Sequence, residues 1–523
     1  MARVRGVRRA AIAALVALPL CAAPVAQAAR PGPADARLRA TVDGLRAGEH
    51  VRVEALVAPG GQSAAARAIA RLGGVVEGFA GETLVQARVP AGQVAALERH
   101  ARTVRAPLIA NAAPPPQATG REASGGLLET LVAGEELIKT KALAWHAAGH
   151  TGLGVKVGIV DFFGGAAWAA GEAAGELPSP AGTFCRRNGV PCNVWAFGNH
   201  GLGVAEIVHE MAPGARLYIA TAETAADLQA AVDYFAANGV RIISRSLTAE
   251  LDGPGDGTGP IAEVIDSAVE DGIAWFNSAG NNAGRLGEPG TYWRGPWRDE
   301  DGDSWLEWAP GDERLEFGCS FMNGLRWSDW GAAPTDYDLF IFDESTSQVP
   351  QAVSDDSQPG ALPLEHLSCD DDADFAAVRL FGAGAGTDGD VLEFMVNSGW
   401  FEHFGNPYSA SGPASDSASP GALSIGAVDP PLGLEIATYS SEGPTNDDRI
   451  KPDLSAAACV ASFTFRPECF NGTSAATPVA AGAAALVIGA GKATTPATVK
   501  AFLLGRAAVE RGATGADPLY GAG

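Results

Sequence analysis

The sequence predicts an α/β protein: a doubly wound, mostly parallel sheet, interrupted by an inserted all-β, sandwich-like unit and preceded by a small α+β unit. Three observations predict this. Short apolar runs alternate with helical stretches over residues 125–284 and again from Ala422 onward, as in a sheet covered on both faces. A β-α-β-α order precedes them between Val51 and Thr103. From Arg285 to Tyr408 helical periodicity disappears, and six of the chain's 11 Trp fall between Trp293 and Trp330.

Composition bounds the answer. The 523 residues are 46% apolar and 19% charged, as in globular proteins and unlike a disordered chain or a coiled coil. The net charge is −24, which argues against a nucleic-acid binder, since that needs clustered Lys and Arg. The charge is uneven. Residues 1–122 carry 16 Lys/Arg and 8 Asp/Glu, and the other 401 carry 21 and 53.

Taken in order, residues 1–28 read as a signal peptide. Arg3, Arg5, Arg8 and Arg9 lead an apolar run from Ala10 to Leu20, and Ala26-Gln27-Ala28 has the small-x-small cleavage pattern. The run is too short for a membrane anchor, which takes about 20 apolar residues. A secreted protein, extracellular or periplasmic, is expected. Residues 29–111 form the α+β unit, with strands at Val51–Val57 and Thr83–Val89 and helices at Ala64–Leu72 and Gln93–Thr103. Residues 112–134 are Pro- and Gly-rich and read as a linker. The first part of the sheet domain spans 135–284, with strands at Val155–Val160, Leu217–Ala220, Ile242–Ser244 and Ile273–Ser278. The β-rich insert spans 285–412, and its two ends must lie together because residues 413–523 return to the same sheet. Core packing is the expected use of its Trp residues. Loss of the signal leaves Cys185, Cys192, Cys319, Cys369, Cys459 and Cys469, an even count that favours disulfides in an exported protein. The short spacings favour Cys185–Cys192 and Cys459–Cys469, leaving Cys319–Cys369, with free thiols as the alternative.

Three segments carry chemistry. Val155 to Val160 is a buried strand ending at Asp161, and ligands in such sheets bind beyond the carboxyl ends of strands. His200 opens a helix whose Val204, Ile207 and Val208 share one face, with Gly201 beside it for close approach. Gly472-Thr473-Ser474 leads into an Ala-rich helix, whose N-terminus offers positive potential where an oxyanion would form. Each alone has an ordinary structural explanation, such as a turn cap, a solvated histidine or a helix cap.

Together, the order Asp161, His200, Ser474 resembles that of the subtilisin-like serine peptidases, the subtilases. Ser278-Ala279-Gly280-Asn281 is similar to the family's oxyanion segment, and Tyr439 to Ser455 to its stretch ahead of the serine. The resemblance covers roughly residues 135–284 and 415–523. It implies a secreted endopeptidase acting through an acyl-enzyme, with protein or peptide substrates, and an N-terminal prosegment serving as intramolecular inhibitor and chaperone. Ser474 would be the nucleophile, His200 its base, Asp161 the group orienting the imidazole, and Asn281 an oxyanion donor, with Asn282 as the competing choice. Ser244, Arg245, Ser246 and Leu247 would line the substrate cleft, Arg245 favouring acidic side chains.

Departures from the family pattern stand at Leu202 and Gly203, where Thr and a second His are usual, at Phe162 and Phe163 after the aspartate, and at Glu206, where Gly is usual. They point to a reshaped cleft rim. No cofactor or metal is expected for the chemistry. Asp299 to Asp303 and Asp370 to Asp374 gather carboxylates in the manner of a structural Ca²⁺ site, without the order of an EF-hand loop. The alternative functions are an inactive binding module working through the Trp-rich insert, or a peptidase that cuts only itself or one dedicated partner.

Overall fold

The computed structural model describes residues 35–112, 134–330, 335–358, 360–367, 373–382, 389–429 and 433–523. The stretch read as a signal peptide and the residue Cys369 lie outside them, as do most of the linker and Asp370 to Asp372.

The N-terminal unit begins at Asp35, whose Oδ1 accepts from the Leu38 N–H at 2.6 Å and caps helix α1 (Ala36–Asp43). Strand β1 (His50–Leu56), helix α2 (Gln62–Arg71), β2 (Val75–Ala80), β3 (Leu84–Pro90), the single turn α3 (Val94–Leu97) and β4 (Thr103–Arg105) follow. The four strands form an antiparallel sheet in the order β2-β3-β1-β4. Val53, Ile69, Val85, Val94 and Val104 share its core. Strand β2 was not expected, because Glu77-Gly78 breaks its apolar run. The helix expected over Gln93–Thr103 is only one turn between two 3₁₀ turns, since the chain must come back to pair β4 with β1. A short strand, β5 (Ala110–Asn111), ends the unit.

Helices α4 (Glu135–Lys139) and α5 (Ala142–Ala147) lead into the large sheet. Its elements are β6 (Lys156–Val160), α6 (Gly165–Ala174), β7 (Gly182–Arg187), β8 (Val190–Pro191), α7 (His200–Met211), β9 (Arg216–Ala222), α8 (Ala225–Ala237), β10 (Ile242–Arg245), β11 (Thr248–Ala249), α9 (Pro260–Glu270) and β12 (Ala274–Ser278). Strand β11 stands apart and pairs with β5. Strands β7, β9, β6, β10 and β12 are parallel neighbours in that order, so the order reverses beside β6. Alternate side chains serve opposite faces: Ile242 and Phe276 join the core under α7, while Ile243 and Trp275 join the one under α8 and α9. This is the doubly wound, mostly parallel sheet expected.

The insert contributes β13 (Tyr292–Pro296), β14 (Leu315–Trp327), β15 (Asp336–Phe342), β16 (Ala352–Ser354), β17 (Leu364–Glu365), β18 (Ala373–Gly382) and β19 (Val391–Phe401). Rather than two separate sheets, they hydrogen-bond into one antiparallel sheet, bent where the register of β14 on β19 shifts between Cys319 and Gly324. Trp293, Trp308 and Trp327 are buried in its core. A Trp-lined binding surface would therefore lack these three side chains. The ends of the insert meet: the Gly284 N–H donates to Asn406 Oδ1, and Asn406 Nδ2 donates back to the Gly284 carbonyl, both at 2.9 Å.

The chain then completes the large sheet with β20 (Ala422–Asp429), β21 (Glu435–Ile436) and β22 (Leu454–Ala457). A two-stranded ribbon, β23 (Val460–Ala461) with β24 (Cys469–Phe470), precedes helices α10 (Thr473–Gly489) and α11 (Pro496–Phe502). Disulfides join Cys185 to Cys192 and Cys459 to Cys469, as expected from their spacing. The third expected pair involves Cys369, which is not among the described residues. Among the described residues no helix is long and apolar enough to cross a membrane.

Candidate active site

Asp161 follows the carboxyl end of β6, at the point where the strand order reverses, and is fully buried. The first turn of α7 must approach it closely. Gly201 makes that possible, since a Cβ there would stand 2.8 Å from that of Asp161 and 2.6 Å from the Phe163 ring. His200 thus sits over the aspartate, its Nδ1 2.8 Å from Oδ1 and 3.0 Å from Oδ2. The pairing directs Nε2 away from the carboxylate, and this buried nitrogen has no hydrogen-bond partner among the described residues.

The other wall comes from β24 and α10. The Phe470 ring meets the imidazole edge to face at 5.2 Å. Gly472 turns the chain at φ 89°, in the left-handed region, where a Cβ would lie 3.1 Å from Asn281 Nδ2. Ser474 is the second residue of α10, so its backbone N–H has no carbonyl within the helix to bond. Its hydroxyl donates to the Ser246 carbonyl at 3.3 Å rather than to His200, and the Ser246 hydroxyl donates to the Ser474 carbonyl at 3.0 Å.

The two adjacent asparagines behave differently. Asn281 Oδ1 accepts from both the N–H and the hydroxyl of Thr473, each at 2.9 Å. Only an oxygen can accept twice, so the amide nitrogen is turned toward the Gly472 turn ahead of Ser474. Asn282 is instead consumed by the scaffold. Its Nδ2 donates to the Val396 carbonyl at 2.8 Å and to Thr291 Oγ1 at 3.0 Å, while its Oδ1 accepts from Ser441 at 3.3 Å. Sequence alone preferred Asn281 only by resemblance; the bonding separates the two.

Of the segment Ser244 to Leu247, Ser246 is the residue bonded to Ser474. All four side chains are buried. Arg245 donates to the Leu247 carbonyl at 3.0 Å and to Asn277 Oδ1 at 3.2 Å, so it is a strut inside the sheet with no reach to substrate side chains. Burial lowers its pKa to about 10, against the pull of Asp161 and Asp252. The surface that does meet another strand lies just beyond, where Thr248 pairs with Asn111 and Ala249 with Ala110. Ala110 also donates to the Glu223 carbonyl at 2.8 Å, so the end of the N-terminal unit runs between two rims of the large domain.

The departures acquire reasons. The buried Glu206 carboxylate accepts from the hydroxyls of Ser462 and Thr464, tying α7 to the disulfide-closed loop that ends just before Phe470. Phe163 is core. Neither Phe470 nor the partners of Glu206 were foreseen, because nothing in their spacing marks them as neighbours. Asp299, Asp301 and Asp303 do converge, each offering an oxygen within 4.8 Å of the others. The Asp299 oxygens, however, already accept from the N–H groups of Gly302, Asp303 and Ser304.

The sequence model of the subtilase family matches residues 170–306 and 370–523, more than half of the chain. Among solved structures, a mutant of the epidermin leader peptide processing serine protease of Staphylococcus aureus is 11% identical. It covers 91% of this chain and 97% of its own, with a TM-score of 0.49. The CspB protease of Clostridium perfringens is 15% identical, covering 73% and 96%, with a TM-score of 0.48. A lanthipeptide protease is 14% identical, covering 78% and 97%, at 0.40.

Proposed function

The chain belongs to the subtilase family of serine peptidases, and from that premise we propose that it hydrolyses peptide bonds through a Ser474 acyl-enzyme. One observation carries the reading: the Asp161 carboxylate holds His200 by Nδ1 and leaves Nε2 unpartnered, and the Phe470 ring against that imidazole stands four residues before Ser474. The reaction begins when the Ser474 hydroxyl turns from the Ser246 carbonyl toward Nε2. The hydroxyl then gives its proton to Nε2 as its oxygen attacks the substrate carbonyl. Asn281 Nδ2 and the Ser474 N–H donate to the oxyanion, beside the positive end of α10. Collapse breaks the C–N bond, the amine leaves with the His200 proton, and water hydrolyses the ester by the reverse route.

The same reading makes residues 1–28 an export signal, 29–111 an inhibitory prosegment and 112–134 its linker. The β5 tail, bonded as a strand to β11, supports the inhibitory role, since a substrate would use the same backbone groups. The test treats the purified full chain with a serine-reactive phosphonate and with casein, using Ser474→Ala as control and reading the N-terminus by mass spectrometry. Labelling of Ser474 with casein turnover is expected. Labelling without turnover means a peptidase restricted to itself or one partner, and an unlabelled Ser474 sinks the proposal.

A further inference from the structure

The N-terminal unit touches more than the cleft. Helix α1 lies against the β-rich insert. The Ala36 N–H donates to Asp356 Oδ1 at 2.5 Å. The Arg39 guanidinium donates to the Asp355 carbonyl at 2.9 Å and is ion-paired with the Asp355 carboxylate. Between them Arg37 pairs with Glu250 at 2.9 Å, and the other Glu250 oxygen accepts from the Ile109 N–H at 3.0 Å. One carboxylate thus links the helix to the tail that pairs with β11. The pairs are partly withdrawn from water: the Arg39 and Glu250 side chains are 12% and 6% exposed, and their partners Asp355 and Arg37 33% and 27%. The wider charge distribution agrees. Residues 29–122 contain 12 Arg, no Lys and 8 Asp/Glu, against 53 Asp/Glu and 21 Lys/Arg in residues 123–523.

We propose that the insert is a retention clamp for the N-terminal unit: its Asp355–Asp356 corner keeps that unit seated after the linker is cut, so that release from this corner decides when the cleft opens. The consequence for the cleft rests on the reading of residues 29–111 as an inhibitory prosegment. The retention itself does not. Cutting the linker turns an intramolecular contact into a bimolecular one, and the local concentration holding β5 in place is then lost unless other contacts persist. The insert supplies such contacts.

The test uses the full chain carrying Ser474→Ala and a recognition site for a sequence-specific protease placed within residues 113–133, so that scission owes nothing to its own activity. After cutting, the N-terminal fragment is followed by size-exclusion chromatography and mass. With the native corner it is expected to stay bound. Arg39→Glu and, separately, Asp355→Arg should each speed its release by at least about tenfold, the scale of losing a partly buried charge pair. The double variant should slow release again. The Asp355→Arg change leaves the fragment itself native, so faster release there cannot come from a misfolded N-terminal unit. Release at the native rate in both single variants, or no recovery in the double variant, overturns the clamp. Adding the freed fragment back to processed native enzyme tests the inhibitor reading separately. If peptide hydrolysis continues unchanged, that reading fails while the retention result stands.

Discussion

Replacing Asn281 by Asp and, in a second protein, Asn282 by Ala is expected to give opposite losses. Asn281→Asp keeps an oxygen to accept from the Thr473 N–H and hydroxyl and removes only the amide donor. In a subtilisin, loss of one such donor costs about 10²–10³ in turnover, on the order of 3–4 kcal/mol. At least that loss is expected here, because the new carboxylate also repels the oxyanion. KM and the urea unfolding midpoint should change little. Asn282→Ala strips the donor from two buried acceptors, the Val396 carbonyl and Thr291 Oγ1. At roughly 1–3 kcal/mol for each buried group left unsatisfied, the stability loss is on the order of 2–4 kcal/mol once the Thr291 hydroxyl re-orients. Turnover per folded molecule should persist. Peptide hydrolysis normalised to folded protein, with urea titrations followed by Trp fluorescence, reads both. Equal losses of turnover in the two variants, or full turnover in Asn281→Asp, would refute the division of roles.

Other outcomes follow from the same geometry. Asp161→Asn should lower kcat by about 10⁴, because an amide donor opposite Nδ1 forces the imidazole into the wrong tautomer; a pH–rate profile and active-site titration check it. Glu206→Ala removes the acceptor for the Ser462 and Thr464 hydroxyls and frees the loop behind Phe470. Turnover should fall more than KM changes, with partial rescue by Glu206→Gln, and an unchanged kcat would count against it. Alkaline pH should destabilise the junction of α4 and α7. Burial, with Glu136 as hydrogen-bonded neighbour, raises the Glu210 carboxyl from 4.5 to about 9. The protonated form is favoured in the native state, so this stabilisation is full below the ordinary value and is lost as pH rises towards 9. The slope is up to about 1.4 kcal/mol per pH unit. Urea midpoints at pH 6 and pH 9 should therefore differ less in Glu210→Gln than in the native chain.

Much of the large sheet was readable because its signals are local. The apolar run from Val155 to Val160 ends at Asp161, the one-sided helix begins at His200, and the Gly472 turn precedes Ser474, each within a dozen residues. The short-loop disulfides at Cys185–Cys192 and Cys459–Cys469 were readable for the same reason. Strand β2 escaped because its apolar alternation is broken, and its pairing with β3 rather than its own pattern makes it a strand.

By itself, then, the sequence determined many of the strands and helices of the large sheet and where its interruption lies, and its resemblance to a family singled out three side chains for the proposed chemistry. Tertiary structure alone decided what those side chains meet. Arg245 reads as a free cation in the chain and is a buried strut in the fold; Asn281 and Asn282 read alike and diverge only when Thr473 comes to one and Val396 to the other. The reason is physical: periodicity and turn chemistry act over a few residues, whereas burial and hydrogen bonding are properties of groups brought together from far apart in the chain.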